Sequence, residues 1–173
     1  MGVRATGQTR ARSFWWDREP PAEADVLRAV IFDADSALAR IERDGDMAAR
    51  AGLVDLVMSL FVAGIWVAVV STRRREWVET LVRELIGDGL VETIVTVDDL
   101  PDVDVHCDAE LYRLALWELG ITPESALAFT GSGRGLAAAV EAGLPTDVRD
   151  HYDGLLAGDC QQLLRRRAQQ RAA

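Results

Sequence analysis

The sequence contains no lysine, so all 19 of its basic residues are arginines. No lysine ammonium group is therefore present to neutralise a bound anion or an acidic cluster. Cysteine is scarce as well. Cys107 and Cys160 cannot build a disulfide framework, and neither stands in a C-x-x-C arrangement. We expect both thiols to be reduced.

Long apolar runs are also missing. No stretch approaches the roughly 20 apolar residues that span a bilayer, and residues 1–16 lack the apolar core of a signal peptide. We therefore expect no membrane partner and a cytoplasmic location.

The net charge of −9 is unevenly distributed along the chain. Residues 1–18 carry four Arg against one Asp, and residues 161–173 carry four Arg and no acid. The body between these ends is therefore strongly acidic, which disfavours nucleic acid as its partner. The basic ends are typical of solvated tails. Pairing with the body, with an acidic partner or with RNA remains the alternative.

Residues 1–25 have the composition of a flexible N-terminal arm. They mix Arg, Gly, Thr and Pro around "SFWW" and close with "EPPAEAD". Trp15 and Trp16 are expected to cover an apolar patch on the same chain or on a twin subunit, rather than to bind a ligand. A homodimer or a protein partner through this arm follows as a prediction.

After the arm, short apolar runs alternate with segments of helical spacing. Strands are predicted at 26–32, 64–70, 91–97 and 126–130, with a weaker one at 144–148. Helices are predicted at 46–62, 77–86 and 111–119, and over "GLAAAVEAG", where Gly143 is placed as a C-cap. This alternation predicts an α/β three-layer sandwich with a parallel, Rossmann-like sheet over residues 26–158. A basic helix or tail over residues 159–173 completes the chain.

Two aspartates follow the first predicted strand, in "RAVIFDADSALAR". Asp33 and Asp35 stand at its carboxyl end, and Ser71 and Thr72 stand at the carboxyl end of the second strand. Ligands of parallel sheets bind outside the carboxyl ends of the strands. These four residues are therefore candidates for one shared site.

Three segments resemble motifs of the haloacid dehalogenase-like (HAD) superfamily. "VIFDADSAL" is similar to its first motif, an apolar strand followed by D-x-D-G-T, although Ser36 and Ala37 replace the Gly and Thr. "VAVVST" resembles the second motif, and "LYRLALWELGITPESALAFTGSGRGLAAAVEAGLPTDV" resembles the later family stretch. The resemblance covers about residues 26–150, and it implies the HAD fold.

The resemblance also implies a chemistry. Asp33 matches the nucleophile of an aspartyl-phosphate phosphatase and Asp35 its general acid/base, and the same two residues would hold Mg²⁺. Phosphate would be bound by residues at four positions, namely Ser71, Thr72, His106 and Ser132. The substrate class is a phosphorylated small molecule or macromolecule.

Two departures from the family pattern fall on this chemistry. Gly131 stands where the family has a metal-binding acid, and His106 stands where it has a lysine. Compensation could come from a protonated His106, from one of the arginines at 73–75, or from Asp98 or Asp99 reaching the metal. We therefore expect weak phosphatase activity. The alternative is a catalytically inactive domain that serves as a protein-binding or assembly module.

The spacing of the motifs leaves no room for a sizeable cap domain. Only 37 residues lie between Asp33 and Ser71, and 34 lie between Ser71 and His106. Both gaps are filled by the predicted helices and strands. We expect a site open to solvent.

Two further segments have alternative interpretations. "TGSGRG" (130–135) could bind an anion at a helix N-terminus or be a tight strand-to-helix turn, and its glycine spacing disfavours a dinucleotide. "DVDVHCD" (102–108) could form a metal-binding face or be a solvated acidic loop with Asp108 near a helix N-cap. His151 is expected at the surface.

Overall fold

A computed structural model of the chain describes residues 26–101 and 108–173. Its main sheet has five parallel strands, namely β1 (Ala29–Asp33), β4 (Trp66–Ser71), β5 (Thr93–Thr96), β6 (Ala126–Thr130) and β7 (Thr146–Val148). They lie side by side in the order β5-β4-β1-β6-β7. All five correspond to predicted strands, so the predicted α/β sheet is confirmed.

Helices cover both faces of the sheet and bury a separate apolar core on each side. One core contains residues of α1 (Leu53–Val62), α2 (Arg75–Leu85) and α5 (Ala157–Ala172). The other contains residues of α3 (Asp108–Leu119) and α4 (Gly133–Glu141). The result is the three-layer sandwich that the sequence predicts.

Alternation along β1 decides which side chains enter which core. Val30 and Phe32 belong to the core under α1, α2 and α5, whereas Ala29 and Ile31 belong to the core under α3 and α4. All five residues of β1 are buried, including Asp33, which is 8% exposed. The central strand therefore delivers a carboxylate from the interior to the edge of the sheet.

The segment after β1 differs from its predicted helix. A π-helical turn (Ala34–Leu38) is followed by a two-stranded antiparallel hairpin, β2 (Ala39–Ile41) and β3 (Met47–Ala49). The prediction of a helix over 46–62 is therefore wrong for its first part, because residues 47–49 pair with β2 and the helix begins only at Leu53.

A contact from a distant part of the chain explains where α1 begins. Gly52 has a φ of +77°, and a Cβ built on it would lie 2.4 Å from the backbone carbon of Tyr152. The N–H of Tyr152 donates to the carbonyl of Ala51 (2.7 Å). Only glycine accepts both the backbone conformation and the close approach.

The predictions for the N-terminal arm and for residues 102–107 cannot be compared with the structure, whereas the prediction for the final helix can. Residues 1–25 and 102–107 lie outside the described residues, and with them lie the aromatic arm, most of "DVDVHCD" and His106. The final helix begins at Ala157, and its Cys160 and Leu164 are fully buried. Within 26–101 and 108–173, no helix has both the length and the apolar character needed to cross a membrane.

Candidate functional site

Neighbouring strands bring Asp33, Asp35, Ser71, Thr72 and Ser132 to the rim of one pocket of about 220 Å³. β1 lies between β4 and β6 in the sheet, so the residues that follow these three strands meet at one edge. This grouping is the one that the sequence predicts. His106 lies outside the described residues.

Asp33 is held at its position by hydrogen bonds to both carboxylate oxygens. Its Oδ1 accepts the backbone N–H of Asp35 (3.0 Å), which makes Asp33 the N-cap of the π-helical turn. Its Oδ2 accepts the hydroxyls of Ser36 (2.6 Å) and Thr130 (3.2 Å). Burial raises the pKa of Asp33. The hydrogen bond from Ser36 opposes this effect, and the charge of Asp35 adds to it.

Asp35 is bound by residues that follow β4. Ser71 Oγ donates to its Oδ1 (3.1 Å), and the backbone N–H and hydroxyl of Thr72 donate to its Oδ2 (3.2 and 2.9 Å). Arg73 Nε lies 3.4 Å from Oδ1, and its guanidinium also stacks over the Trp77 ring at 4.7 Å. Of the three arginines at 73–75, Arg73 is therefore the one that reaches the carboxylate pair.

The other side of the pocket is formed by α3 and α4. Ser132 is the N-cap of α4, and its side chain accepts the N–H of Gly135 (3.0 Å). The "TGSGRG" segment is thus a strand-to-helix turn. Arg134 of this turn forms a bidentate ion pair with Asp108 at the start of α3, and both residues line the pocket.

Position 131 has no space for a side chain. A Cβ built on Gly131 would lie 2.3 Å from the carbonyl oxygen of Ser36 and 3.2 Å from the guanidinium of Arg50. The Ser36 hydroxyl accepts the N–H of Gly131 (2.9 Å), and Arg50 Nε donates to the Ser36 carbonyl (2.8 Å). Ser36 and Arg50 therefore occupy the space that an acidic side chain at 131 would need.

The described residues do not form a preorganised Mg²⁺ site. In 26–101 and 108–173, no group of three or more His, Cys, Asp or Glu side chains is placed to hold a metal ion. The oxygens of Asp33 and Asp35 already accept hydrogen bonds, and the Arg73 guanidinium beside Asp35 opposes a dication. The two other candidate ligands do not line the pocket, because Asp98 accepts the N–H of Arg75 (2.8 Å) and Asp99 pairs with the Arg75 guanidinium (2.6 Å).

Four residues of the site carry no role in the sequence-based prediction, namely Ser36, Thr130, Tyr112 and Arg134. Thr130 and Ser36 donate hydrogen bonds to Asp33, and Tyr112 of α3 lines the pocket. Thr130 had a usable signal, since it is a polar residue at the end of a predicted strand. Tyr112 had none, because its spacing along α3 is that of a core residue.

Comparison with known proteins gives one curated relative and many similar folds. No family model matches the sequence. Protein CbbY from Cereibacter sphaeroides is 36% identical over 130 residues, which cover 74% of this chain and 54% of that protein. The chain therefore spans about half the length of the curated relative.

Solved structures resemble this chain at lower identity. CbbY from Rhodobacter sphaeroides in complex with phosphate superposes with a TM-score of 0.63 at 23% identity, covering 73% of this chain and 88% of that one. A variant of the same protein in complex with xylulose-(1,5)bisphosphate gives 0.62 at 23% identity, with the same coverage. A HAD-superfamily hydrolase from Ehrlichia chaffeensis gives 0.61 at 15% identity, covering 83% and 97%. These likenesses confirm the fold that the motifs imply.

Proposed function

Since this chain is a haloacid dehalogenase-like (HAD) domain, we propose that it is a phosphatase of low turnover that acts on a phosphorylated compound through Asp33. The observation that carries the proposal is the convergence of Asp33, Asp35 and Ser71 on one pocket. The ligands in the two CbbY structures, phosphate and xylulose-(1,5)bisphosphate, support a phosphoryl group as the feature that is recognised.

In the proposed reaction, a carboxylate oxygen of Asp33 attacks phosphorus while the bond from phosphorus to the ester oxygen breaks. Asp35 acts as the general acid and gives a proton to the departing oxygen. Water then attacks the phosphorus of the aspartyl phosphate, Asp35 takes a proton from that water, and phosphate leaves with the Asp33 carboxylate restored. Ser71 and Thr72 orient Asp35 for both proton transfers.

Two features of the site make this reaction slow. Both oxygens of Asp33 accept hydrogen bonds, from the N–H of Asp35 and from the hydroxyls of Ser36 and Thr130, so the attacking oxygen has to give up a donor before it reaches phosphorus. Positive charge near the incoming phosphoryl group comes from Arg73 and Arg134, whose side chains are 60% and 72% exposed, so solvent screens their effect. Mg²⁺ has no role in the proposed steps, because the described residues do not fit it.

A second candidate function is phosphate-ester binding without turnover. It is favoured by the hydrogen bonds that engage both oxygens of Asp33 and by the absence of space for an acid at Gly131. In this case the domain would serve as a binding or assembly module.

Hydrolysis of an aryl phosphate distinguishes the two candidates. We expect slow release of the phenol by the natural protein, release at the buffer rate with Asp33→Asn, and equal rates in Mg²⁺ and in EDTA. Equal rates for the natural protein and Asp33→Asn would show that the nucleophile is assigned wrongly. Stimulation by Mg²⁺ would contradict our interpretation of the metal ligands.

Calorimetry with inorganic phosphate completes this experiment. Phosphate binding without any hydrolysis would establish the binding module, and a protein that neither binds nor hydrolyses would refute both candidates. The roles of His106 and of the N-terminal arm lie outside the described residues, and a homodimer or protein partner through the arm stays a prediction.

A further inference from the structure

The hydroxyl of Tyr112 is a buried donor without a partner. Tyr112 is 2% exposed. Among the buried side-chain polar groups of the described residues, only its hydroxyl makes no hydrogen bond. A buried hydroxyl without a partner destabilises the folded protein, and most native structures avoid this arrangement. A phenylalanine would fill the same space without this penalty, so the hydroxyl calls for an explanation.

The position of Tyr112 links its hydroxyl to the Asp33 pocket. Tyr112 lines that pocket together with Asp33, Asp35 and Asp108. Burial raises the pKa of the phenol far above its usual value, and the charges of these three acids raise it further. The hydroxyl therefore keeps its proton and is available as a donor at any physiological pH.

The nearby carboxylates bind other donors in place of Tyr112. Asp33 accepts from Ser36 and Thr130, and Asp35 accepts from residues that follow β4. Asp108 is paired with Arg134. Within residues 26–101 and 108–173 the phenol thus has no acceptor, and its donor is open to a molecule that enters the pocket.

We propose that the Tyr112 hydroxyl donates a hydrogen bond to an oxygen of the phosphoryl group bound in the Asp33 pocket. The proposal rests on the proposed function, since it needs an oxyanion in that pocket. It adds a binding contact from α3 to the polar groups that β1, β4 and α4 bring to the pocket. Tyr112 thereby supplies one of the donors that an anion site without lysine requires.

Tyr112→Phe tests the proposal, because it removes one oxygen and keeps the ring. We expect the affinity for inorganic phosphate, measured by calorimetry, to fall about tenfold, as for the loss of one hydrogen bond to a charged ligand. The melting temperature of the free protein should stay the same or rise, because the substitution removes an unpaired buried group. A fall in the melting temperature would overturn the proposal, since it would reveal a partner in the free protein.

Tyr152→Phe is the matched control. Tyr152 is also buried, but its hydroxyl donates to the carbonyl of Ala37 (2.8 Å). This variant should lose stability and keep its phosphate affinity. Equal phosphate affinity in the natural protein and Tyr112→Phe would overturn the Tyr112 proposal alone. A natural protein that neither binds phosphate nor hydrolyses an aryl phosphate would overturn the proposed function with it.

A separate observation concerns an exposed apolar stripe. Four side chains on the outer face of α1 and one at the start of β4 form it, with exposures from 41% to 81%, namely Val54, Met58, Phe61, Val62 and Trp66. Phe61 and Trp66 also line a common groove of about 220 Å³. Contiguous exposed apolar surface of this kind is typical of a contact site.

We infer that residues 13–16 ("SFWW") of the same chain cover this stripe. The carbonyl of Arg28 accepts the N–H of Trp66 (2.9 Å), so the chain that leads back to the arm passes beside the stripe. The ten residues from Trp16 to Val26 can span about 33 Å, more than the roughly 15 Å length of α1. The arm therefore has both the reach and the aromatic side chains to cover the stripe.

Limited trypsin digestion tests this inference, since Arg10, Arg12 and Arg18 flank "SFWW". We expect Phe61→Glu to speed cleavage at these sites, because the charge disfavours docking of the arm, and Trp117→Gln, on α3, to leave the cleavage rate unchanged. Equal rates for Phe61→Glu and the natural protein would overturn the inference. A doubled mass in solution that Phe61→Glu reduces to a monomer would assign the stripe to a second copy instead.

Discussion

Ser36 and Gly131 show how two departures from a family pattern depend on each other. The carbonyl of Ser36 lies where a side chain at 131 would begin, and its hydroxyl accepts the N–H of Gly131 (2.9 Å). Each residue is separately visible in the sequence as a departure. Their contact is not, because it joins positions 95 residues apart. An acid placed at 131 would therefore disrupt the turn before it could bind a metal.

Asp33 gives a pH-dependent prediction. Its pKa in the folded protein is raised above the ordinary value of 3.8, so the folded state holds the proton more tightly than the unfolded state. The free energy of unfolding should therefore fall as the pH rises from below 3.8 through the raised pKa, and level off above it.

The variant Asp33→Asn lacks this titration. Its free energy of unfolding, measured with urea from pH 3.5 to 8, should increase relative to that of the natural protein as the pH rises. A constant difference between the two proteins across this range would show that Asp33 titrates alike in the folded and unfolded states.

At the scale of elements, local patterns predicted the five strands of the sheet and the helices that cover it. The hairpin of β2 and β3 was missed, because alanine-rich residues such as Ala48 and Ala49 favour a helix in isolation. The start of α1 depends instead on the approach of Tyr152 to Gly52, a contact that no local pattern records. Tertiary contacts overrode propensity in this segment.

The N-terminal turn of α4 supports a prediction with a matched control. A Cβ at Gly135 would lie 2.2 Å from Thr130 Oγ1 and 2.5 Å from Asp33 Oδ2, whereas one at Gly133 would meet nothing within 4 Å. Gly135→Ala should lower the free energy of unfolding by about 1–3 kcal/mol and weaken phosphate binding.

Gly133→Ala should raise the free energy of unfolding by up to about 1 kcal/mol, because alanine is the better helix former. Urea denaturation of the two variants measures both effects. Equal stability of the two would mean that α4 can shift away from the carboxylate without cost.

At the scale of the whole molecule, sheet topology explains why several of the predicted site residues lie together. Parallel strands place their carboxyl ends at one edge, and this alone groups Asp33, Asp35 and Ser71. The contributions of Tyr112 and Arg134 depend on how closely α3 and α4 approach the sheet. Small residues of the sheet, such as Ala68 and Ala128, permit this approach. They do not determine how far α3 and α4 lie from the sheet.

The final helix packs into one of the two cores that flank the sheet. Leu164 of α5 is fully buried in the core that contains Phe32 and Leu56. Leu164→Ala should therefore lower the global free energy of unfolding by about 2–5 kcal/mol and keep a single transition in urea, followed by circular dichroism. A loss below about 0.5 kcal/mol would instead indicate that α5 unfolds independently.

The burial of Cys160 gives the molecule an internal reporter of opening. Burial raises the pKa of its thiol to about 12, and the side chain is fully shielded in the closed protein. In a Cys107→Ser background, an alkylating reagent can modify Cys160 only when α5 detaches. The modification rate, compared with that of the unfolded chain, thus yields the free energy of helix detachment under native conditions, without denaturant.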